Sequence, residues 1–363
     1  MIQMNAEIVS VEHEECIAAS LDADEWKLIT NSINAYMISE SIYAACELDV
    51  FSKIEQLDLP DLEHIAEAIG LNQYRCSILL LCLCTSKLII KETRTGLYRN
   101  HSAARKAFCR ENKNNFIPFV RFNHEVQQKG MMFFLDALKS GKNEGLNFLP
   151  GDATSLYDRL AQSPGLSEIF HDGMAAYTHF GPKIVSFPEM AMCSRLLDVG
   201  GGNGSVSREF LTKHPVLTAV VMDIEEVCRL GCQLSDKFPN RLEFVATDIF
   251  LSPWSFNQDA ILFSHLLEIF SLEKISFLYK KAYESLPING KLFVWTIVSN
   301  DDETGGLQAA KSSAYFLTMA SGEGKAYSKK THIELCQSIG FDVECIYDRM
   351  EYDHLGLVLV KKM

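Results

Sequence analysis

The chain has 363 residues, 47% of them hydrophobic and 22% charged, with a formal net charge of −13. That is a globular composition long enough for about two domains, and its acidic balance excludes nucleic acid and anionic membranes as expected partners. The 11 Cys are odd in number and scattered, so neither a disulfide framework nor a metal site is expected.

The N-terminal "MIQMNAEIVSVEHEECIAAS" has no basic region followed by an apolar run, so no signal peptide is expected. No apolar stretch reaches the roughly 20 residues of a membrane span, and the chain is read as cytoplasmic. From Trp26 to Ala107 the pattern is short helices and a hairpin. "ISESIYAACELDVFSKIE" carries apolar residues at helical spacing, and "LPDLEHIAEAIGLN" starts at Pro60 and Asp61 and stops at Gly70. "QYRCSILLLCLCTSKL" predicts a third, buried helix, and "LIIKETRTGLYRN" predicts two strands around a Thr-Gly turn. This is a winged-helix pattern. Its third helix is apolar rather than basic, which favours a dimerisation platform and a homodimer over DNA binding.

Residues from Lys106 to Glu189 read as all helix, rich in Phe, Met and His. From Arg195 onward, the strands "RLLDVGG", "LTAVVMDI", "LEFVATDIF", "DAILFSHLL" and "KLFVWTIVS" take over. Amphipathic helices lie between them, and two closing strands fall in "FDVECIYDRMEYDHLGLVLVKK". Near-continuous apolar strands with helical crossovers predict an α/β class, a Rossmann-like doubly wound parallel sheet. The expected organisation is a winged-helix-like dimerisation domain over 1–110, a helical linker and substrate region over 111–190, and a cofactor-binding catalytic domain over 191–363.

The strongest motif is "LLDVGGGNGSVSREFL". Asp198 ends a strand, and Gly200, Gly202 and Gly204 follow at alternate positions before a helix. Glycines supply positive φ and let a ligand approach the backbone. Such a turn alone fits a dinucleotide or another adenosine ligand. An acid inside the strand suits a ligand with an amino group there. Asp223 closes the next strand, placed for ribose hydroxyls, and Asp248 closes the third, placed for an adenine amino group. Ile249 and Ser264 complete the candidate set. Together these fit S-adenosylmethionine, with S-adenosylhomocysteine as product. A lone Asp at a strand end would be read as a helix cap.

On these motifs the chain resembles the small-molecule O-methyltransferases of plant caffeate and bacterial antibiotic-tailoring type. Within that superfamily "DAILF", "KKAYESL", "INGKLFV" and "YDHLGLVLV" are similar to the bacteriochlorophyll C-methyltransferase branch. The resemblance implies a homodimer, a class I methyltransferase fold and a His base after the fourth strand. Here the chain departs from the pattern. Glu268 stands at the base position, Ser264 at a Lys position, His265 at a Trp position and Ile269 at an Asp position. Thr296, and Ala326 or Tyr327, stand where two supporting glutamates belong. The candidate catalytic residues are therefore Glu268 and His265, with Glu268 as acid/base. His265, three residues away, is expected on the opposite face, as an odd shift along a strand implies. Without the supporting glutamates, no imidazole at the base position is expected to be oriented.

The acceptor is expected to be a small, flat, largely apolar metabolite, methylated on carbon or oxygen. Candidate lining residues are Phe170, Met174, Tyr177, His179, Phe263, Tyr315 and Met319, each of which also fits core packing. Two alternatives stand beside this: a non-methylating enzyme of hydroxylase or pericyclase type that keeps the cofactor, and a silent binding partner.

Overall fold

The computed structural model describes residues 21–180, 187–234, 237–254, 257–349 and 352–362, apart from the side chains at 161, 164, 179 and 180. The stretch read for a signal peptide and the side chain of His179 lie outside the described residues. The chain divides into two compact units, Met1–Glu111 and Asn112–Met363.

In the first unit, Asp22 starts α1 (Ala23–Glu47) with a capping box: its carboxylate accepts from Asp24 N and Glu25 N, and Glu25 returns to Asp22 N. The helix runs 25 residues, longer than the short element expected. It ends before Asp49, whose φ of 59° breaks the predicted continuous helix and starts α2 (Val50–Leu57). Then come α3 (Leu62–Ala68), capped by Asp61, α4 (Gln73–Thr85), the hairpin β1 (Ile89–Lys91) and β2 (Tyr98–Asn100), and α5 (Ser102–Phe108). Val50, Phe51, Ile54, Ile65, Leu80 and Leu83 form the core. The sequence reading of α4 as buried is only half right. Cys76, Leu80 and Leu83 face inward, whereas Tyr74, Ile78 and Leu81 are exposed, as are Trp26, Ile33 and Tyr36 on α1. No single helix among the described residues is long and apolar enough to cross a membrane.

The second unit opens with a helical layer: α6 (Ile117–Phe122), a π turn over Asn123–Gln128, α7 (Lys129–Met131), α8 (Phe134–Ser140), α9 (Leu156–Ala161) and α10 (Pro164–Phe180). The stretch expected as all helix is interrupted, with Gly141 ending α8 in the left-handed region. Phe122, Val126, Leu146, Leu156, Phe170 and Met319 pack its core, with Tyr157, Met174 and Tyr315 against them.

The sheet follows with β3 (Arg195–Val199), α11 (Ser205–Lys213), β4 (Thr218–Asp223), α12 (Glu225–Gln233), β5 (Leu242–Ala246), β6 (Ala260–Ser264), α13 (Leu272–Ser285) and β7 (Lys291–Ile297). Next come α14 (Leu307–Tyr315), a π turn over Phe316–Ala320, α15 (Lys329–Ile339), β8 (Phe341–Arg349) and β9 (His354–Lys361). The two helices α14 and α15 were not anticipated from the sequence. The strand order is β5-β4-β3-β6-β7-β9-β8. The first five strands are parallel, and β9 inserts antiparallel between β7 and β8. The order reverses between β3 and β6. In an open α/β sheet the crevice beyond the strand carboxyl ends at such a switch point is where ligands bind. Because β9 is antiparallel, its first residue, His354, pairs with Ile297 at the carboxyl end of β7. The insertion thus delivers the start of β9 to that same end of the sheet.

Candidate active site

The glycine turn leaves β3 through three left-handed residues, with φ of 66° at Gly200, 61° at Gly202 and 76° at Gly204. A Cβ on Gly201 would meet the Asp198 carboxyl carbon at 2.5 Å, so the turn folds directly over that acid. A Cβ on Gly202 would meet nothing within 4 Å. The outer face of the turn at Gly202 is therefore open, as a ligand needs. Asp223 at the end of β4 reaches across: Oδ2 accepts from Gly202 N at 2.8 Å and Oδ1 from Ile224 N at 2.7 Å. Both oxygens keep a second lone pair for a ligand hydroxyl.

Asp198 sits beneath. It has no exposed surface; Oδ2 accepts from Ser207 Oγ at 2.6 Å, and Oδ1 has no hydrogen-bond partner among the described residues. It lies directly beneath the glycine turn. Burial pushes its carboxyl up to about 7, against the pull of Ser207, with the charge of Asp223 adding to the rise. Burial also raises Asp223, opposed by its two backbone donors. An orphaned buried carboxylate oxygen and two acids held high both fit a site built to receive a cation. Asp248 is exposed, with Oδ1 accepting from Phe250 N at 2.7 Å, and Ile249 beside it is partly buried against the core. Ser264 ends β6 opposite Trp295.

The second half of the site overturns the expected separation of His265 and Glu268. Strand β6 stops at Ser264. His265 adopts φ 52°, and its N–H donates to Trp295 O at 2.8 Å. The chain then enters a 3-10 turn, Leu267–Ile269. The period-two rule no longer applies, and His265 Nδ1 lies 2.9 Å from Glu268 Oε1. Thr296 Oγ1 on β7 donates to Glu268 Oε2 at 2.8 Å. Thr296, read as the loss of a supporting glutamate, anchors Glu268 and through it the ring of His265. The side chain of His265 is 33% exposed and that of Glu268 is 1% exposed, which makes His265 rather than Glu268 the member able to meet an acceptor.

Burial by itself would raise the Glu268 carboxyl. The hydrogen bond and charge of His265, a backbone donor and Thr296 outweigh it and hold the group below the usual carboxylate range. Glu268 therefore stays ionised. An acceptor oxygen of Glu268 fixes Nδ1 of neutral His265 as the donor and leaves Nε2 with a lone pair.

Tyr177 faces this histidine, ring centroids 6.5 Å apart, and stacks on Phe119 at 5.2 Å. Burial pushes its hydroxyl up to about 12. Phe170, Met174 and Tyr315 belong to the adjoining aromatic cluster. Two lining candidates are corrected to core. Phe263 is fully buried against Trp254 and Tyr279. Met319 is fully buried, its sulfur filling the space left by Gly130 and Gly145.

Sequence reasoning missed Tyr157 as a neighbour of the site and considered His354 only as a possible metal ligand beside His179 and His265, without ligand spacing to support it. Tyr157 on α9 packs on Phe170 at 5.8 Å and feels the charges of both Asp223 and Glu268. His354 is buried 5.2 Å from His265, ring to ring. No local signal marks either one. Each arrives through the packing of a remote element.

The Asp198 carboxyl carries a pH signature. Its folded value, about 7, lies above its ordinary 3.8, so the folded state binds the proton more tightly. The stability this confers is fully present below pH 3.8 and is lost as pH rises through 7. Chemical denaturation at pH 5 and pH 8 should show Asp198→Asn gaining on the parent at the higher pH, by roughly 1–3 kcal/mol. An unchanged difference between the two pH values would show that Asp198 is ionised throughout.

The fold has known counterparts. A family profile described as an O-methyltransferase domain matches residues 133–342, and one described as an O-methyltransferase dimerisation domain matches residues 30–108. An L-tyrosine C(3)-methyltransferase of Streptomyces lavendulae is 27% identical, covering 85% of this chain and 84% of that protein. The acetylserotonin O-methyltransferase of Macaca mulatta is 24% identical, covering 88% and 93%. Among solved structures, the apo S-adenosylmethionine-dependent methyltransferase SibL superposes with a TM-score of 0.82 at 26% identity, covering 93% of this chain and all of that one. With both profiles matched in order and a glycine turn flanked by the acids that an adenosine cofactor requires, the chain belongs to the O-methyltransferase family of S-adenosylmethionine-dependent methyltransferases.

Proposed function

We propose that this protein methylates a ring carbon of a phenolic, tyrosine-like acceptor, with His265 as the base. The observation that carries this reading is the Thr296–Glu268–His265 hydrogen-bonded chain, whose exposed end meets the aromatic layer at Tyr177. The curated tyrosine C-methyltransferase supports the choice of acceptor.

In this reading Gly200, Gly202 and Gly204 hold the methionine part of the cofactor. Asp223 takes the ribose hydroxyls, and Asp248, Ile249 and Ser264 border the adenosine. Bound S-adenosylmethionine supplies an electrophilic methyl group on a sulfonium, already activated for in-line transfer. Phe170, Met174, Tyr177 and Tyr315 hold the acceptor ring flat and exclude water. His265 Nε2 takes the phenolic proton, and the buried Glu268 carboxylate stabilises the imidazolium that forms. Phenolate charge spreads to the ortho carbon, which makes that carbon nucleophilic. Methyl transfer would release S-adenosylhomocysteine and leave a dienone; its ring-carbon proton then goes to solvent and the His265 imidazolium returns its proton to the oxygen, which restores the phenol. A base is needed because a free phenol, with pKa near 10, is mostly neutral at pH 7.

We assign dimerisation to residues 1–110, in a winged-helix arrangement, acceptor lining to 111–190 and cofactor binding to 191–363. The exposed apolar residues of α1 and α4 support a homodimer. Sedimentation should give twice the chain mass at micromolar concentration. A stable monomer there would remove this assignment.

Gly202→Ala should weaken S-adenosylmethionine binding at least about tenfold in calorimetry, because the methyl enters the open face of the turn. The backbone strain at positive φ costs only about 1–2 kcal/mol, leaving the protein folded. Normal affinity would place the cofactor elsewhere.

The acceptor is tested with methyl-13C-labelled S-adenosylmethionine and L-tyrosine. An aryl-methyl carbon in the product NMR spectrum is the expected result. A methoxy carbon would move the chemistry to oxygen, and an unlabelled tyrosine would overturn the acceptor class. His265→Ala should cost about 10²–10⁴ in kcat. Glu268→Gln, which keeps the imidazole but removes its counter-charge, should cost less, on the order of 10–10². The reverse ranking would make Glu268 the base.

A further inference from the structure

His354 is a buried titratable group that the mechanism above leaves unused. Its side chain has 1% exposure. Nδ1 is hydrogen-bonded to the Tyr352 carbonyl, an acceptor, so Nδ1 carries the hydrogen and Nε2 of the neutral ring carries a lone pair. That Nε2 is buried with no hydrogen-bond partner among the described residues. Leaving such an acceptor unpaired is unfavourable, and native structures retain few of them. The ring stands edge-on to His265 at 5.2 Å and lies tilted against Trp295 at 5.3 Å. It is held at both ends, because Asp353 accepts from Gln308 N at the start of α14 while His354 pairs with Ile297 on β7.

We propose that His354 is a positioning residue for His265: it presents a lone pair beside that ring and so favours His265 in its proton-holding form. The proposal rests on the reading of His265 as the base. The groups that surround the pair are consistent with it. Glu268 faces His265 from the 3-10 turn, Tyr177 faces it from α10, and Glu268 and Asp353 act on His354. Burial, with the charge of His265 next, pushes His354 down to about 4, so it does not compete for the proton. A second cation beside His265 would oppose the proton transfer. A neutral acceptor assists it.

The test uses His354→Phe, which keeps a ring and removes the lone pair, and His354→Gln, which keeps an acceptor. With L-tyrosine as probe acceptor, His354→Phe is expected to lower kcat about tenfold, with KM and cofactor affinity within twofold. The low-pH limb of kcat/KM is expected to move to lower pH. His354→Gln should hold the limb near the parent's. A purely structural role would lower the melting temperature of His354→Phe but leave its limb and kcat in place, and that result overturns the proposal. A limb in His354→Gln that moves as far as in His354→Phe also overturns it. If the parent does not methylate L-tyrosine, the acceptor reading fails on its own. Ring 15N NMR of the acceptor-free enzyme then decides: a His265 titration that moves to lower pH in His354→Phe supports the proposal, and an unmoved one ends it. Should His354→Phe not fold, His354→Met removes the lone pair at similar volume and is read in the same way.

Discussion

A carboxylate with almost no exposed surface has to be paired, and Glu268 is the group on which the second half of this site depends. Burying an unpaired carboxylate costs several kcal/mol. Here the cost is offset by one hydrogen bond from Thr296 on β7 and one from His265 just past β6. Both donors are available because β6 and β7 run side by side, with Ser264 at the end of β6 opposite Trp295 and β7 continuing past it through Thr296. The pairing that satisfies the acid also aims the imidazole, so burial and orientation are one arrangement.

The arrangement differs from the pattern the sequence resembles by a transposition of roles. The position at which the related enzymes keep a histidine holds the anchoring acid, and the imidazole sits three residues earlier. Thr296 replaces a longer acidic side chain and serves a shorter span, from strand to turn, with a neutral donor. A neutral donor suits the altered pairing. Glu268 already supplies the negative charge, and a second buried acid beside it would raise both carboxyls and weaken their hold on the imidazole. The alternatives of a non-methylating enzyme or a silent partner rested on a lost base; a carboxylate-held histidine at the sheet's ligand-binding edge removes that ground.

The cofactor half works by a different economy of charge. Asp198 and Asp223 lie on neighbouring strands, and both are raised by burial. Asp223 ties down the amide of Gly202, so the turn is shaped before any ligand arrives. Preorganised donors and acceptors of this kind lower the ordering cost of binding. Along the sheet edge the glycine turn and the Thr296–Glu268–His265 chain lie on opposite sides of the switch between β3 and β6.

The α/β class, the helices and hairpin of the dimerisation domain, the glycine turn with its three acids and the identity of the cofactor are legible in the chain itself. Each is a local pattern: near-continuous apolar strands with helical crossovers, glycines where φ must be positive, acids at strand ends. The catalytic half was legible only as a set of residue names. The sequence puts His265 and Glu268 on opposite faces because the apolar run "DAILFSHLL" extends the strand to Leu267, three residues past its end at Ser264. The left-handed turn at His265 that reverses their relation is a conformation for which the side chain gives no warning. Thr296 as an anchor, His354 as a neighbour and Phe263 and Met319 as core all depend on which strands lie side by side and which helices cover them. That is decided by long-range pairing, above all the antiparallel insertion of β9. No short window of sequence around His354 contains β7, where it pairs with Ile297.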